Sequence, residues 1–269
     1  MENMQSINTQ TQVSNGSDVD VIEVHTPNFF ERHFLHLLTL FGIGFLIFTF
    51  IFQIQLTPIY IVGRSMQPTI NTQSQNANDL EHCDLVYYKH SKHFNKGDIV
   101  VINAANYLNG QTDPIIKRVI ATEGDTLTFE ITQVIPDLLT FQNLHVYKCY
   151  YKIYLNGELL NEDYIAEQNC YLEIKTNNTG EFVDSIDYSF LRTAYNTLYQ
   201  NNPLQYIHTG SVSITIEADQ VFVCGDNRNY STDSRFFGAV KTNDILGTMA
   251  LHIPYGTNFF VGLFKEIFA

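Results

Sequence analysis

Between Phe34 and Gly63 the chain carries no Asp, Glu, Lys or Arg. Within this stretch, Phe34–Leu56 (FLHLLTLFGIGFLIFTFIFQIQL) is strongly apolar. About 20 apolar residues cross a hydrocarbon core as a helix, so residues 34–56 are expected to form one transmembrane helix. A buried helix of a soluble protein is usually shorter and keeps a polar face. A cleaved leader does not fit either, because the apolar run is too long, starts late and is followed by no small-x-small site. Residues 1–33 are polar and rich in Asn, Gln, Ser and Thr, and read as a disordered tail. Arg32 and Arg64 flank the run on opposite sides, so the positive-inside count is tied.

Beyond the run, short stretches rich in Val, Ile, Tyr, Phe and Thr alternate with turn residues. Asp98–Asn103, Ile115–Ala121, Val146–Leu155 and Ser211–Ile216 are the clearest strands. Asn156-Gly157 is a strong hairpin signal. Asp187–Asn202 reads as a short helix or an irregular loop. Asn258–Ala269 is apolar but too short to span a bilayer, and suits either the membrane interface or packing on the β core. With 45% hydrophobic and 16% charged residues among 269, the chain has the composition of a folded protein. Its formal charge of −13 argues against nucleic acid as a partner and provides no polybasic grip on lipid.

Three segments carry chemistry. Gly63-Arg64-Ser65-Met66-Gln67-Pro68-Thr69-Ile70 follows the apolar run closely. Here Pro68 pushes Gln67 towards extended backbone, and Gly63 permits close approach to a ligand. In the run Ile115–Ala121, period-two alternation places Lys117 on the face of Ile115 and Val119, with Arg118 opposite. A lysine on an apolar face loses hydration of its charged form and its pKa falls. The bland reading is an edge lysine that snorkels to water. The third segment, Cys224–Gly238, is dense in small polar and charged side chains, as in a tightly built loop.

Together, Ser65-Met66-x-Pro68-Thr69, Lys117-Arg118-Val119 with Gly124-Asp125, and the Gly225–Gly238 segment resemble the bacterial type I signal peptidases. The resemblance covers about Val62 to Leu251 and includes Lys96-Gly97-Asp98-Ile99-Val100-Val101. It implies a mainly β protein whose antiparallel catalytic core comprises residues 57–125 and 220–269, with a smaller β region inserted at 126–219. It implies a serine endopeptidase that removes signal peptides from exported preproteins by acyl transfer. Ser65 would be the nucleophile and Lys117 the general base, supported by Ser231, Asp233 and Arg235. Ser231 matches a serine that orients the lysine, and Asp233 and Arg235 match a structural pair. Ile61, Gly63, Met66, Ile70 and Ile116 match positions lining shallow pockets for small side chains, as in an Ala-x-Ala site. Gly63 rules out a side-chain oxyanion donor from that position and leaves the Ser65 N–H as the expected one. To be neutral near pH 8, Lys117 must shift down by ~2–3 units, at roughly 3–4 kcal/mol. The implied setting is a bacterial plasma membrane, crossed once, with residues 1–33 cytoplasmic and the catalytic region on the exported side. The chain would be a monomer that needs no cofactor or metal.

This sequence departs from the family pattern at Ala121, Glu123 and Asn229-Tyr230, which concern turn geometry more than the dyad. Cys149 and Cys170, in the inserted region, are expected either to pair as a disulfide or to remain buried thiols. His90-x-x-His93 is weak as a metal signal. Rival readings are a peptidase dedicated to pilin or conjugation precursors, a soluble self-cleaving repressor, and a β module that binds signal sequences without cutting them. The apolar span argues against the second, and the presence of both Ser65 and Lys117 argues against the third.

Overall fold

The computed structural model describes residues 29–176 and 210–262, apart from 77, 109, 111, 142, 143, 166, 168, 259 and 260. Expectations for the N-terminal tail, Asp187–Asn202 and most of Asn258–Ala269 lie outside the described residues. Two compact units are present, residues 1–54 and 55–269.

The first unit contains helix α1, Phe29–Gln55. Its segment Arg32–Phe50 has a mean hydropathy of 1.9 and is long and apolar enough to cross a membrane. The two threonines within it are satisfied locally. Thr39 and Thr49 donate their hydroxyls to the carbonyls of Leu35 and Leu46, one turn back. The helix starts before the expected Phe34 and stops at Gln55, because Leu56 already pairs with Lys89 in a strand.

The second unit is built from antiparallel strands: β1 Leu56–Ile61, β2 Asp84–Lys89, β3 Ile99–Ile102, β4 Ile115–Thr122, β5 Thr126–Phe141, β6 Leu144–Leu155, β7 Glu158–Leu159, β8 Tyr171–Thr176, β9 Gly210–Thr215, β10 Gln220–Cys224, β11 Val240–Lys241 and β12 Ile245–Ile253. A seven-stranded sheet runs β1-β2-β12-β3-β4-β10-β11. A second sheet runs β7-β6-β5-β9, with β8 also on β6. The four strands read from the sequence appear within a residue or two of their expected bounds. The Asn156-Gly157 turn joins β6 to β7 with both residues at positive φ, 52° and 87°, as a type I′ hairpin requires.

Strand β3 is buried along its whole length, because the first sheet is covered on both faces. Ile99 and Val101 pack with Ile61, Met66, Ile70, Val86 and Ile116. Val100 and Ile102 pack with Val119, Val221, Val223, Val240 and Ile245. A third cluster joins the sheets. Ile120 of β4 and Phe222 of β10 pack with Leu127, Phe129, Tyr151, Ile153 and Leu172. Each large side chain withdrawn this way contributes about 1.5–3 kcal/mol.

This topology leaves room for a site. Strand β10 follows β4 as far as Cys224 opposite Arg118, then ends. A loop beginning at Gly225 takes over where a strand residue would have faced Lys117.

Candidate active site

The turn that carries Ser65 leaves β1 after Ile61 and passes through Gly63 at φ 92°, a conformation glycine adopts without steric cost. It then winds helically: Gln67 N–H donates to the Arg64 carbonyl and Ile70 N–H to the Met66 carbonyl. Met66 and Ile70 are fully buried and pin the turn to the sheet. Asn71 closes it. Its carboxamide N–H groups donate to the carbonyls of Ile61 and Gly63, and its Oδ1 accepts from Asp84 N–H at 2.7 Å. In return, Asp84 Oδ2 accepts Asn71 N–H at 2.6 Å and faces His252 Nε2 at 2.7 Å. Burial works against the Asp84 charge. His252 and the N–H groups of Tyr255 and Asn71 outweigh it and hold the carboxyl below its usual range.

Lys117 reaches this turn from β4. Its Nζ lies 2.9 Å from Ser65 Oγ and 2.8 Å from the Ile116 carbonyl. Among the described residues no carboxylate touches the amine, and the residue is buried. Burial, assisted by the Arg235 charge, pulls its pKa down from 10.5 to about 8, against the opposing pull of Asp233 and Asp226.

The loop after β10 supports both residues. Asp233, fully buried, accepts from Arg235 Nε at 2.7 Å and Nη2 at 2.8 Å, from Ser231 Oγ at 2.7 Å and from Gly225 N–H at 2.9 Å. Burial raises its pKa, but Arg235 and these hydrogen bonds prevail and keep it low. The Ser231 hydroxyl is thus engaged with Asp233, and no hydrogen bond joins it to Lys117. Gly225 is confined: a Cβ there would lie 2.3 Å from Ser231 Oγ and 2.4 Å from the Ser65 carbonyl.

Several supporting residues gave no separate signal in the sequence. Asn227 N–H donates to the Ser65 carbonyl and its Nδ2 to the Arg64 carbonyl, both at 3.0 Å. Arg118 grips Asp226 with Nε and Nη2 at 2.8 and 2.7 Å and stacks on Tyr164. Thr69 donates to the same Asp226, so the Ser65 turn, β4 and the loop meet there. Arg228 forms a two-pronged pair with buried Glu162. Thr69, Arg118, Asp226, Asn227 and Arg228 lie within the three motif segments, but no role could be read for them there, and Glu162 and Tyr164 lie outside those segments.

Of the residues matched to substrate pockets, Ile61, Met66, Ile70 and Ile116 pack into one apolar cluster beneath the turn. Gly63 stands outside it, at the bend. Cys149 and Cys170 are both buried, and no disulfide joins them. His90 is engaged with the Leu246 carbonyl. Among the described residues no three His, Cys, Asp or Glu side chains converge as a metal site.

Known proteins resemble this chain in sequence. Residues 31–253 match the family described as "Signal peptidase, peptidase S26". Signal peptidase I P of Bacillus subtilis subsp. natto is 26% identical over 210 residues, 77% of this chain and 80% of that protein. Signal peptidase I of Aquifex aeolicus is 31% identical over 166 residues, 56% of this chain and 60% of that protein. Signal peptidase IB of Staphylococcus aureus strain COL is 25% identical over 222 residues, 82% of this chain and 89% of that one. A crystal structure of a signal peptidase I from Enterococcus faecalis V583 aligns with 20% identity and a TM-score of 0.31, covering 59% of this chain and 97% of that one. The chain belongs to the signal peptidase family, peptidase S26, and is a serine endopeptidase.

Proposed function

We propose that this chain cuts signal peptides from exported preproteins by acyl transfer at Ser65, with Lys117 as the general base. The observation that carries the reading is the 2.9 Å approach of a buried lysine amine, its pKa drawn down to about 8, to Ser65 Oγ. Neutral Nζ takes the Oγ proton as Oγ bonds to the scissile carbonyl carbon. The C–N bond then breaks, and the ammonium returns that proton to the departing amine. Water, deprotonated by the same amine, attacks the acyl-Ser65 ester and releases the signal peptide. Ser65 N–H is the proposed oxyanion donor. Asp233, Arg235 and Ser231 hold the loop against the Ser65 carbonyl and leave the amine without a carboxylate partner.

The apolar positions Ile61, Met66, Ile70 and Ile116, with Gly63 beside them, support cleavage after small residues, as in Ala-x-Ala. The sheet of β1–β4 and β10–β12 is the proposed catalytic core, and the sheet of β5–β9 the inserted region that buttresses it. Helix α1 is the proposed single membrane anchor, with the N-terminal tail cytoplasmic and the site on the exported side. The test is cleavage of a preprotein bearing an Ala-x-Ala site by detergent-solubilised protein. Wild type should cut it, and Ser65→Ala and Lys117→Ala should not. Cutting by either variant at the wild-type rate would overturn the assignment.

A further inference from the structure

Four arginines surround the site, and three of them own a carboxylate. Arg118 holds Asp226, Arg228 holds Glu162, and Arg235 holds Asp233. The fourth, Arg64, immediately precedes the nucleophile and has no acidic partner among the described residues. Its guanidinium lies over the ring of Tyr230, 4.7 Å from the centroid, and Nη1 donates to the Gln75 carbonyl at 3.2 Å. Those contacts use one of five N–H donors and one face of the plane, leaving its other donors for a ligand.

The arrangement is built. Tyr230 is 59% exposed, yet its backbone is fixed on both sides. Asn229 Oδ1 accepts Tyr171 N–H at 3.0 Å, and Ser231 is bonded to Asp233. The Arg64 backbone needs no help from its own side chain, since its carbonyl already accepts from Gln67 N–H and Asn227 Nδ2. The ring thus holds a cation on the residue that precedes Ser65, in a chain whose formal charge is −13.

We propose that Arg64, presented by Tyr230, is a specificity-determining residue that receives an acidic side chain of the substrate beside the scissile bond. This rests on the peptidase reading of Ser65 and Lys117. Substrate residues within three positions of the bond lie within roughly 10 Å of Ser65. The small residues of an Ala-x-Ala site leave no room for a carboxylate. The acidic residue therefore sits at the middle position of that triplet or among the first three residues after the cut. A guanidinium fork pairs with a carboxylate through parallel N–H···O bonds, which a lysine cannot reproduce.

The experiment is a peptide series with Ala, Asp or Lys placed singly at each of those four positions. It is read as the ratio of kcat/KM for the Asp peptide to that for the Ala peptide, within each enzyme. Wild type should favour Asp at one or more positions by about five-fold, the scale of a partly exposed ion pair, and the preference should shrink in high salt. Arg64→Gln should bring the ratio near one, Arg64→Glu should transfer the preference to Lys, and Tyr230→Leu should weaken it. A wild-type ratio of one at every position, or a ratio that survives both Arg64 variants, overturns the proposal while leaving the peptidase reading intact. If wild type cuts none of the peptides, the peptidase reading fails and this proposal falls with it.

Discussion

Asn227 donates its backbone N–H to the carbonyl of Ser65 at 3.0 Å, so the loop after β10 is hydrogen-bonded directly to the Ser65 peptide unit. Its side chain repeats the contact one residue earlier, at the Arg64 carbonyl. Truncating that side chain leaves the backbone bond in place but removes one of the two hydrogen bonds to the Arg64 carbonyl, with only Gln67 N–H remaining on it among the described residues. Asn227→Ala should lower kcat about five- to ten-fold with KM little changed, as expected for one lost hydrogen bond near the reacting atoms. Thermal stability should fall by only about 1 kcal/mol. Unchanged kcat would show that the side-chain clip does not position Ser65.

The second prediction concerns pH. If neutral Lys117 is the active form, kcat/KM should rise with pH through an apparent pKa of about 8 and then level off. A flat profile from pH 6 to 9 would contradict the assigned base. The same shift has a cost in stability. The unfolded chain keeps its proton up to about 10.5 and the folded chain only to about 8, so between those values the unfolded state binds more protons. Stability from this group is complete above about 10.5 and is lost as pH falls through about 8. Lys117→Met, which removes the buried charge, should therefore stabilise the protein near pH 7 by about 2–3 kcal/mol while abolishing cleavage. Urea unfolding at pH 7 and at pH 9.5 would check it, since the gain should shrink at the higher pH.

The proximity of Ser65 and Lys117 was legible only from the motifs taken together: alone, Ser65 reads as a loop serine and Lys117 as an edge lysine that snorkels to water. Asn156-Gly157 announced its hairpin by local chemistry. The supporting groups were not legible, because their partners are distant. Arg118 meets Asp226 across 108 positions and Arg228 meets Glu162 across 66. Nothing near Asn71 in sequence says that its carboxamide will bridge Ile61, Gly63 and Asp84. Strand β5 was hidden for another reason. Its register shifts between Ile131 and Gln133, so one alternating pattern does not run through it. The partner of the Ser231 hydroxyl, Asp233, lies two residues along the same loop.

The buried ion pair should be costly to break and informative when broken. Asp233→Asn leaves Arg235 buried with only the Tyr151 hydroxyl and the Ser231 carbonyl for company. The expected loss is about 3–5 kcal/mol of stability, read by urea or thermal unfolding. Asp233 also supports the charged form of Lys117, so any folded variant should show its pH–rate profile displaced to lower pH. A displacement to higher pH would mean that the carboxylate does not act on the amine through its charge.

The closest approach in the centre is at Gly225, and it tests the geometry most directly. A methyl group there meets the Ser65 carbonyl at 2.4 Å and Ser231 Oγ at 2.3 Å, and the former is backbone that cannot rotate aside. The flanking bonds, Gly225 N–H to Asp233 and Arg228 Nε to the Gly225 carbonyl, hold the loop from retreating. Relief must come from pushing the Ser65 turn outward, away from Lys117. Because a 1 Å misplacement of a reacting group costs about a hundred-fold in rate, Gly225→Ala should lose at least that much kcat. Overpacking should cost a further 1–3 kcal/mol of stability, short of unfolding. Combining Gly225→Ala with Ser231→Gly removes one of the two clashes but not the one with the Ser65 carbonyl, so the double variant should recover stability more than rate. Full recovery of kcat in the double variant would place the obstruction at Ser231 alone and refute the close packing of the loop on the nucleophile.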